Sequence, residues 1–241
     1  MPIPNTESKI SKPIRSYRYY DMVMAGFVTV LLCSNLIGPG KVCSLFGITF
    51  SAGNLFFPIS YIFGDVMTEV YGYARARKVI WTGFISMIFA TIMGYVVIHT
   101  PLALDEPYNG ILQPALEIIF GNTWRIVAGS ILAFWVGDFA NSFVMAKLKV
   151  LTKGRLLWVR TISSTMVGQL CDSIIFYPLA FWGLWTVDQL YTVILFNFAI
   201  KVAVEVIMTP VTYLIVDFLK KSEGEDFYDY DTNFTPFSLK T

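Results

Sequence analysis

Residues 79–98 form an uninterrupted run of twenty residues without a charged side chain. A bilayer core about 30 Å thick is crossed by ~20 apolar residues in an α-helix. The chain as a whole has the same character, because 55% of its residues are hydrophobic and only 15% are charged. Ordinary soluble domains carry about 25% charged residues. The sequence therefore predicts a helical bundle embedded in a lipid bilayer.

Five further apolar segments complete a set of six predicted spans. Four of them carry isolated polar residues within apolar runs, at 21–37, 126–146, 163–186 and 189–218. The segment 54–72 is different, because Pro58 and Gly64 interrupt it and a glycine-rich stretch precedes it. We expect a short or distorted helix there, with an extended or re-entrant approach at 46–53. The predicted fold class is an all-α membrane protein with six transmembrane helices.

The positions of the basic residues predict the orientation of these spans. With six spans, fifteen of the eighteen lysines and arginines fall on one side of the membrane. Basic loops favour the cytoplasm, so we expect both termini to be cytoplasmic. Residues 1–20 then form a cytoplasmic N-terminal segment and residues 21–220 the transmembrane domain. Residues 221–241 form an acidic cytoplasmic tail, which we expect to be solvated.

Composition also excludes several function classes. A net charge of +1 argues against a nucleic-acid partner. The single histidine, His99, leaves no basis for most zinc or serine–histidine chemistry, and the three cysteines lack a metal-binding or disulfide spacing. A two-aspartate protease built on Asp138 and Asp172 has no supporting local motif, and no channel selectivity filter is visible. We therefore predict a protein that is not an enzyme and has no metal or cofactor.

Ionisable residues inside the predicted spans are the strongest functional signal. They are Asp65, Glu69, Asp138, Asp172, Lys201 and Glu205. An ionised side chain at the bilayer centre costs about 2.5–3.5 kcal/mol, so such residues usually face one another, water or a ligand. Helical spacing places them on four polar faces: Tyr61, Asp65 and Glu69; Asp138 and Asn141; Gln169, Asp172 and Phe176; and Asn197, Lys201 and Glu205. We infer a shared polar interior that holds water or a ligand.

The charges within this interior leave alternatives open. Lys201 can pair with Glu205 in its own helix, although lysine before glutamate is the weaker order, or with Asp172 or Asp65 from another helix. Five acids then face one base, so either some carboxyl groups are protonated or a cationic or donor-rich ligand completes the site. Glu69 can instead pair with Arg75 or Arg77, and the remaining charges can serve only to hold helices together.

Residues 57–77, FPISYIFGDVMTEVYGYARAR, resemble the signature of the queuosine precursor transporters, a family formerly grouped as vitamin uptake transporters. The segment GQLCD at 168–172 and the pattern of Asn197, Lys201 and Pro210 support this resemblance, which extends over residues 20 to 220. It implies import of a 7-deazaguanine base (preQ0, preQ1 or queuine) across a bacterial inner membrane, for queuosine synthesis in tRNA.

The resemblance also implies roles for the residues of the polar faces. A carboxylate accepts two parallel hydrogen bonds from the N1–H and 2-amino edge of the base, a donor binds O6, and aromatic rings stack on the base. The candidate substrate-binding residues are Asp65, Glu69, Asp172, Lys201, Asn197, Gln169, Tyr61, Phe57, Asp138, Asn141, Glu205 and Phe176. Within the family, the matches to Asp65, Asp172 and Lys201 recur more dependably than those to Glu69, Asp138 and Glu205.

An alternative function that fits the length and span count of this chain is that of a substrate-binding membrane subunit of an energy-coupling-factor ABC importer. Against it, the first span lacks a clear stripe of small residues that could dock such a module. The preferred base, the coupling ion and a homodimer are left open by the sequence.

Overall fold

The computed structural model describes residues 16–36, 42–45, 48–51, 56–103, 105–121 and 124–238. Its helices are α1 (Tyr20–Leu36), α2 (Phe57–Val66), α3 (Tyr73–His99), α4 (Asn109–Phe120), α5 (Trp124–Leu151), α6 (Leu157–Phe181) and α7 (Val187–Glu223). Strands β1 (Val42–Leu45) and β2 (Ile48–Ser51) form an antiparallel hairpin between α1 and α2. The predicted helical class is confirmed, with this hairpin as an addition.

Three helices in the described part of the chain, α3, α5 and α7, are long and apolar enough to cross a bilayer. Helix α1 is apolar but shorter. Large apolar side chains such as Phe89 and Leu214 are mostly exposed, as expected for surfaces that face lipid. A multi-pass membrane protein is therefore confirmed, while the number of six spans and their orientation stay predictions.

The helix that begins at Phe57 is distorted, as predicted, but not where its sequence suggested. Helix α2 runs unbroken through Gly64, and Pro58 lies in its first turn, where a missing N–H costs little. The irregularity is a π-helical turn at Met67–Tyr71, which ends at Gly72 with φ +85°. Of the predicted extended approach at 46–53, residues 48–51 are strand β2, and the rest lie outside the described residues.

Helices α5 and α6 approach each other closely through glycines. A Cβ atom on Gly168 would lie 2.9 Å from the carbonyl oxygen of Gly137 and 2.9 Å from Cβ of Asn141. Small residues at helix crossings in membranes allow this kind of backbone contact. The crossing brings the face of α5 that carries Asp138 and Asn141 against the face of α6 that carries Gln169 and Asp172.

The main apolar core joins α1, α2 with its π turn, α3, α5, α6 and α7. Its buried members include Phe27, Leu31, Val66, Val70 and Val216.

The start of α1, the end of the π turn and the end of α7 meet at one end of the bundle. There the carboxylate of Glu223 accepts hydrogen bonds from the backbone N–H groups of Arg18 and Tyr19, at 2.9 and 2.7 Å, and from the hydroxyl of Tyr71 at 2.9 Å. At the same end of the bundle, Lys149 at the end of α5 and Arg160 at the start of α6 contact Glu69 in the π turn. We call this the basic end.

The C-terminal tail is packed against the basic end. Arg77 donates hydrogen bonds of 2.7 Å to the carbonyl oxygens of Asn233 and Thr235, and Trp81 donates one of 2.7 Å to that of Pro236. A Cβ on Gly72 would lie 2.2 Å from the ring of Phe227, so the tail passes directly over this glycine. The prediction of a solvated tail is wrong for residues 224–238, because its acidic and aromatic groups find partners on several helices.

Candidate functional site

An ion pair joins α6 to α7 inside the bundle. Nζ of Lys201 lies 2.8 Å from Oδ2 of Asp172, and the two side chains are 14% and 24% exposed. Of the alternatives left open by the sequence, the structure selects Asp172 as the carboxylate that pairs with Lys201. The pair is exposed enough for a small molecule to reach it, and buried enough to be largely shielded from water.

Tyr61 connects α2 to the same face of α6. Its hydroxyl donates a hydrogen bond of 3.1 Å to Oε1 of Gln169, which lies one helical turn before Asp172. Through this bond Tyr61 contacts the face of α6 that carries Asp172, in agreement with its predicted polar face.

Asp65 lies deeper, between α2 and α5. It is fully buried, and the amide of Asn141 donates a hydrogen bond of 2.9 Å to its Oδ1. One turn further, Thr68 donates a bond of 3.1 Å to Ser142 across the same two helices. The second oxygen of Asp65 has no hydrogen-bond partner among the described residues.

Two more carboxyl groups belong to this assembly, and both have oxygens without a hydrogen-bond partner among the described residues. Both oxygens of Glu205 and Oδ2 of Asp138 are buried without a hydrogen bond from the described residues, and Glu205 is 1% exposed. Asp138, Ser142 and Gly64 line a void of about 10 Å³, which is room for about one water molecule. We call these residues the interior cluster: Tyr61, Asp65, Asp138, Asn141, Gln169, Asp172, Lys201 and Glu205.

Glu69 has other partners, at the basic end. Its Oε1 accepts hydrogen bonds from Arg160 at 2.7 Å and from Lys220 at 2.6 Å. Lys149 lies 3.5 Å from the same oxygen and donates a bond of 2.6 Å to the Glu69 carbonyl oxygen. The pairing of Glu69 with Arg75 or Arg77, one of the sequence alternatives, is therefore wrong.

Asp226 from the tail closes this second assembly. Its Oδ1 lies 2.5 Å from Lys149 and 2.7 Å from Lys220. We call Glu69, Lys149, Arg160, Lys220 and Asp226 the basic-end network. This network was not predicted from the sequence, because its basic members lie near helix ends and were used only to predict the orientation of the spans.

For the remaining predicted residues, the structure shows contacts outside the interior cluster. The amide of Asn197 donates a 3.0 Å bond to the carbonyl of Val193 in its own helix. The ring of Phe176 packs against Tyr177 and Phe181, with centroid distances of 5.1 and 6.0 Å. The side chain of Phe57 lies outside the described residues.

A larger cavity lies at the opposite end of the bundle, between the start of α5 and the end of α6. It measures about 350 Å³, and Trp124, Arg125, Pro178 and Trp182 are among its lining residues. Arg125 is held there by bonds to the carbonyl oxygens of Leu179 and Trp182, at 3.1 and 2.9 Å. Neither this cavity nor the small void beside Asp138 is lined by Asp172 or Lys201.

An ion pair and unpartnered carboxyl groups among membrane-length apolar helices are typical of membrane transport proteins. The family described as "Putative vitamin uptake transporter" matches residues 51–215. The "Probable queuosine precursor transporter" of Bacillus subtilis (strain 168) is 37% identical over 193 residues, which cover 79% of this chain and 81% of the relative. The chain therefore belongs to the queuosine precursor transporter family.

Two other relatives carry similar names at lower identity. The "Queuosine precursor transporter" of Escherichia coli (strain K12) is 27% identical over 139 residues, or 58% of each chain. The "Probable queuosine precursor transporter" of Haemophilus influenzae is 28% identical over 130 residues, which cover 54% of this chain and 51% of the relative. No solved structure matches the chain.

Proposed function

We propose that this protein imports a 7-deazaguanine precursor of queuosine (preQ0, preQ1 or queuine) across the bacterial inner membrane. Family membership supports this function, and the ion pair of Lys201 with Asp172 is the observation that carries it. The pair presents a carboxylate acceptor beside an ammonium donor. A 7-deazaguanine offers the complementary groups, with two N–H donors on one edge and the O6 acceptor next to them.

In the proposed complex, the base inserts between the two charged groups. Asp172 accepts the N1–H and 2-amino hydrogen bonds, and Lys201 donates to O6. Gln169 and Tyr61, which are already bonded to each other, flank the base, and the tyrosine ring provides a stacking surface. When the base leaves, the ion pair re-forms, so neither charge is left alone in the apolar bundle.

The proposed topology has six spans, formed by α1, α2 with its π turn, α3, α5, α6 and α7. The basic end faces the cytoplasm, which follows from the concentration of lysine and arginine there. Helix α4 then lies outside, between the third and fourth spans. We take this end to be closed, because the basic-end network joins the π turn after α2 to α5, α6 and α7. Release of the base requires Glu69 to part from some of these cations.

The test is uptake of a labelled 7-deazaguanine in a bacterial strain that cannot make queuosine precursors. The intact protein restores uptake, whereas Asp172→Asn and Lys201→Gln each reduce it about 10- to 100-fold, because a hydrogen bond to a charged group contributes ~1.5–3 kcal/mol. Asp217→Asn is the matched control, since this aspartate is 64% exposed on α7. Membrane abundance is measured for every variant.

Absence of uptake by the intact protein at normal abundance would contradict the proposed function. Unchanged uptake in both Asp172→Asn and Lys201→Gln would leave the function standing and exclude the ion pair from the binding site.

A further inference from the structure

Glu205 is a buried carboxyl group whose partners are missing. It is 1% exposed, and neither of its oxygens has a hydrogen bond from the described residues. Its helix, α7, packs against α2, which carries Asp65. Asp65 is itself fully buried, and one of its oxygens has no partner among the described residues. Two buried acids with unpartnered oxygens therefore lie on two helices that pack against each other.

The surroundings do not compensate for two negative charges at this place. Tyr61 and Glu69 lie four residues before and after Asp65, and α5 contributes Asn141, which is bonded to Asp65, and Asp138. Helix α6 contributes Asp172 and Tyr177, while the cation of α7, Lys201, is bound to Asp172. The cations around Glu69 are held by Glu69 and Asp226. Two buried carboxylates without a cation beside them are costly in an apolar bundle, so we infer that at least one of them takes up a positive ion.

A proton is the ion that fits. In the part of the chain that the structure describes, no three histidine, cysteine, aspartate or glutamate side chains lie close enough together to hold a metal ion. A protonated carboxyl group needs no such shell, because it is neutral and becomes a hydrogen-bond donor. The unpartnered Oδ1 of Asn141, which is bonded to Asp65 through its amide, is an acceptor in the same place.

We propose that Asp65 and Glu205 form a proton-binding site that holds one exchangeable proton, and that base and proton enter together. This inference rests on the proposed function. The direction of the coupling between base and proton follows from Lys201, which compensates the charge of Asp172 in the interior cluster. When Lys201 turns to O6 of the base, the acids of the interior cluster lose part of that compensation. The protonated form of the pair is then favoured, so base binding draws in a proton.

The experiment uses the full chain reconstituted in vesicles, with labelled preQ0 as the probe, because this base carries no ionisable amine. The membrane potential is clamped, and accumulation is compared with and without an acidic exterior. One pH unit corresponds to about a tenfold difference in proton activity, so one proton per base supports accumulation of up to about tenfold. Equilibrium exchange of preQ0 is measured in the same vesicles.

Glu205→Gln keeps the size of the side chain and removes its proton site. We expect this variant to lose the pH-driven accumulation of preQ0 and the pH dependence of its exchange. Asp217→Asn, on the exposed face of the same helix, should retain both. Calorimetry in two buffers of different ionisation enthalpy provides a readout on the intact protein: preQ0 binding should take up about one proton, and none in Glu205→Gln.

The outcomes separate this inference from the proposed function. Absence of preQ0 exchange by the intact protein would contradict the proposed function. Normal exchange without pH-driven accumulation and without proton uptake would overturn only the proton site, as would accumulation driven by a sodium gradient. Loss of exchange in a correctly folded Glu205→Gln variant would place Glu205 in the base site and also overturn the proposal. If that variant does not fold, proton uptake by the intact protein decides.

Discussion

Arg160 on α6 and Glu69 in the π turn are joined by a 2.7 Å hydrogen bond, although their side chains are only 1% and 0% exposed. The same glutamate oxygen accepts a bond from Lys220 on α7. A buried ion pair adds little net stability over an apolar contact, but removal of one partner leaves an uncompensated charge. Glu69 therefore determines where α2, α6 and α7 meet, and this gives it a structural role that the sequence did not reveal.

Replacement of Glu69 should destabilise the bundle strongly. Glu69→Gln leaves the cations of Arg160 and Lys220 without their carboxylate, and loss of one partner of a buried pair costs ~3–5 kcal/mol. The expected result is a clearly lower melting temperature in detergent. Asp217→Asn, which breaks the exposed pair with Lys221, should change stability by less than about 1 kcal/mol. Equal melting temperatures for the two variants would show that the basic-end network does not hold the helices.

Loss of the Tyr61 hydroxyl should weaken transport without abolishing it. Tyr61→Phe keeps the ring and removes one neutral hydrogen bond to Gln169, which is worth ~0.5–1.5 kcal/mol and hence about a 2- to 10-fold rise in KM for uptake. Tyr191→Phe is the control, because that tyrosine is 64% exposed on α7. An unchanged KM in Tyr61→Phe would argue against a place for this residue beside the base.

A methyl group at the α5–α6 crossing should disturb the site through the backbone. Gly168→Ala places its Cβ 2.9 Å from the carbonyl oxygen of Gly137, so the helices must separate by several tenths of an ångström. Because Gln169 and Asp172 follow on the same helix, we expect both stability and uptake to fall. Gly64→Ala is the control inside the bundle, where the nearest neighbouring atom is 4.0 Å away. Normal uptake by Gly168→Ala would contradict the close crossing.

The attachment of the tail should depend on pH through Asp226. Burial alone would raise the pKa of Asp226, but the hydrogen bonds from Lys149 and Lys220 outweigh it and hold this pKa below its ordinary value of about 3.9. Because the pKa is lowered in the folded protein, the ionised form stabilises the fold above about pH 4, and this stabilisation is lost as the pH falls further.

Asp226→Asn should therefore lower the melting temperature at pH 7, whereas below about pH 4 the variant and the intact protein should converge. Melting temperatures between pH 7 and pH 3 test this expectation. Asp231→Asn, an exposed position in the same tail, should follow the intact protein throughout. A difference for Asp226→Asn that does not change with pH would exclude the ionic attachment.

The residues of the interior cluster could be predicted because helical spacing depends only on positions that are close together in the sequence. Residues spaced three or four apart share a helical face, so the polar faces of α2, α5, α6 and α7 were visible in the sequence. The choice of Asp172 as the partner of Lys201 was not visible, because it depends on how closely α6 and α7 pack. Asn197 shows the limit of such spacing arguments, since its amide bonds to its own helix instead.

The solvated tail was mispredicted, and the distortion near α2 was predicted but placed at the wrong residues, for a different reason. An acidic, aromatic segment looks solvated when only its own residues are considered, but Asp226 and Asp229 bind groups that lie 77 and 156 residues earlier in the chain. Likewise, Pro58 suggested a break in α2, yet a proline in the first turn lacks only an N–H that would have been unpaired anyway. The real distortion follows at Met67–Tyr71, where Lys149 bonds to the Glu69 carbonyl.

The arrangement of the basic end imposes an order on biosynthesis. Glu69 is made early, but the arginine and lysines that surround it are made 80 to 151 residues later, and the tail later still. Until those residues have been synthesised, the segment that carries Glu69 lacks the cations that bind it in the folded protein. The basic-end network can form only after translation has passed the last helix, so this end of the bundle is the last part of the protein to assemble.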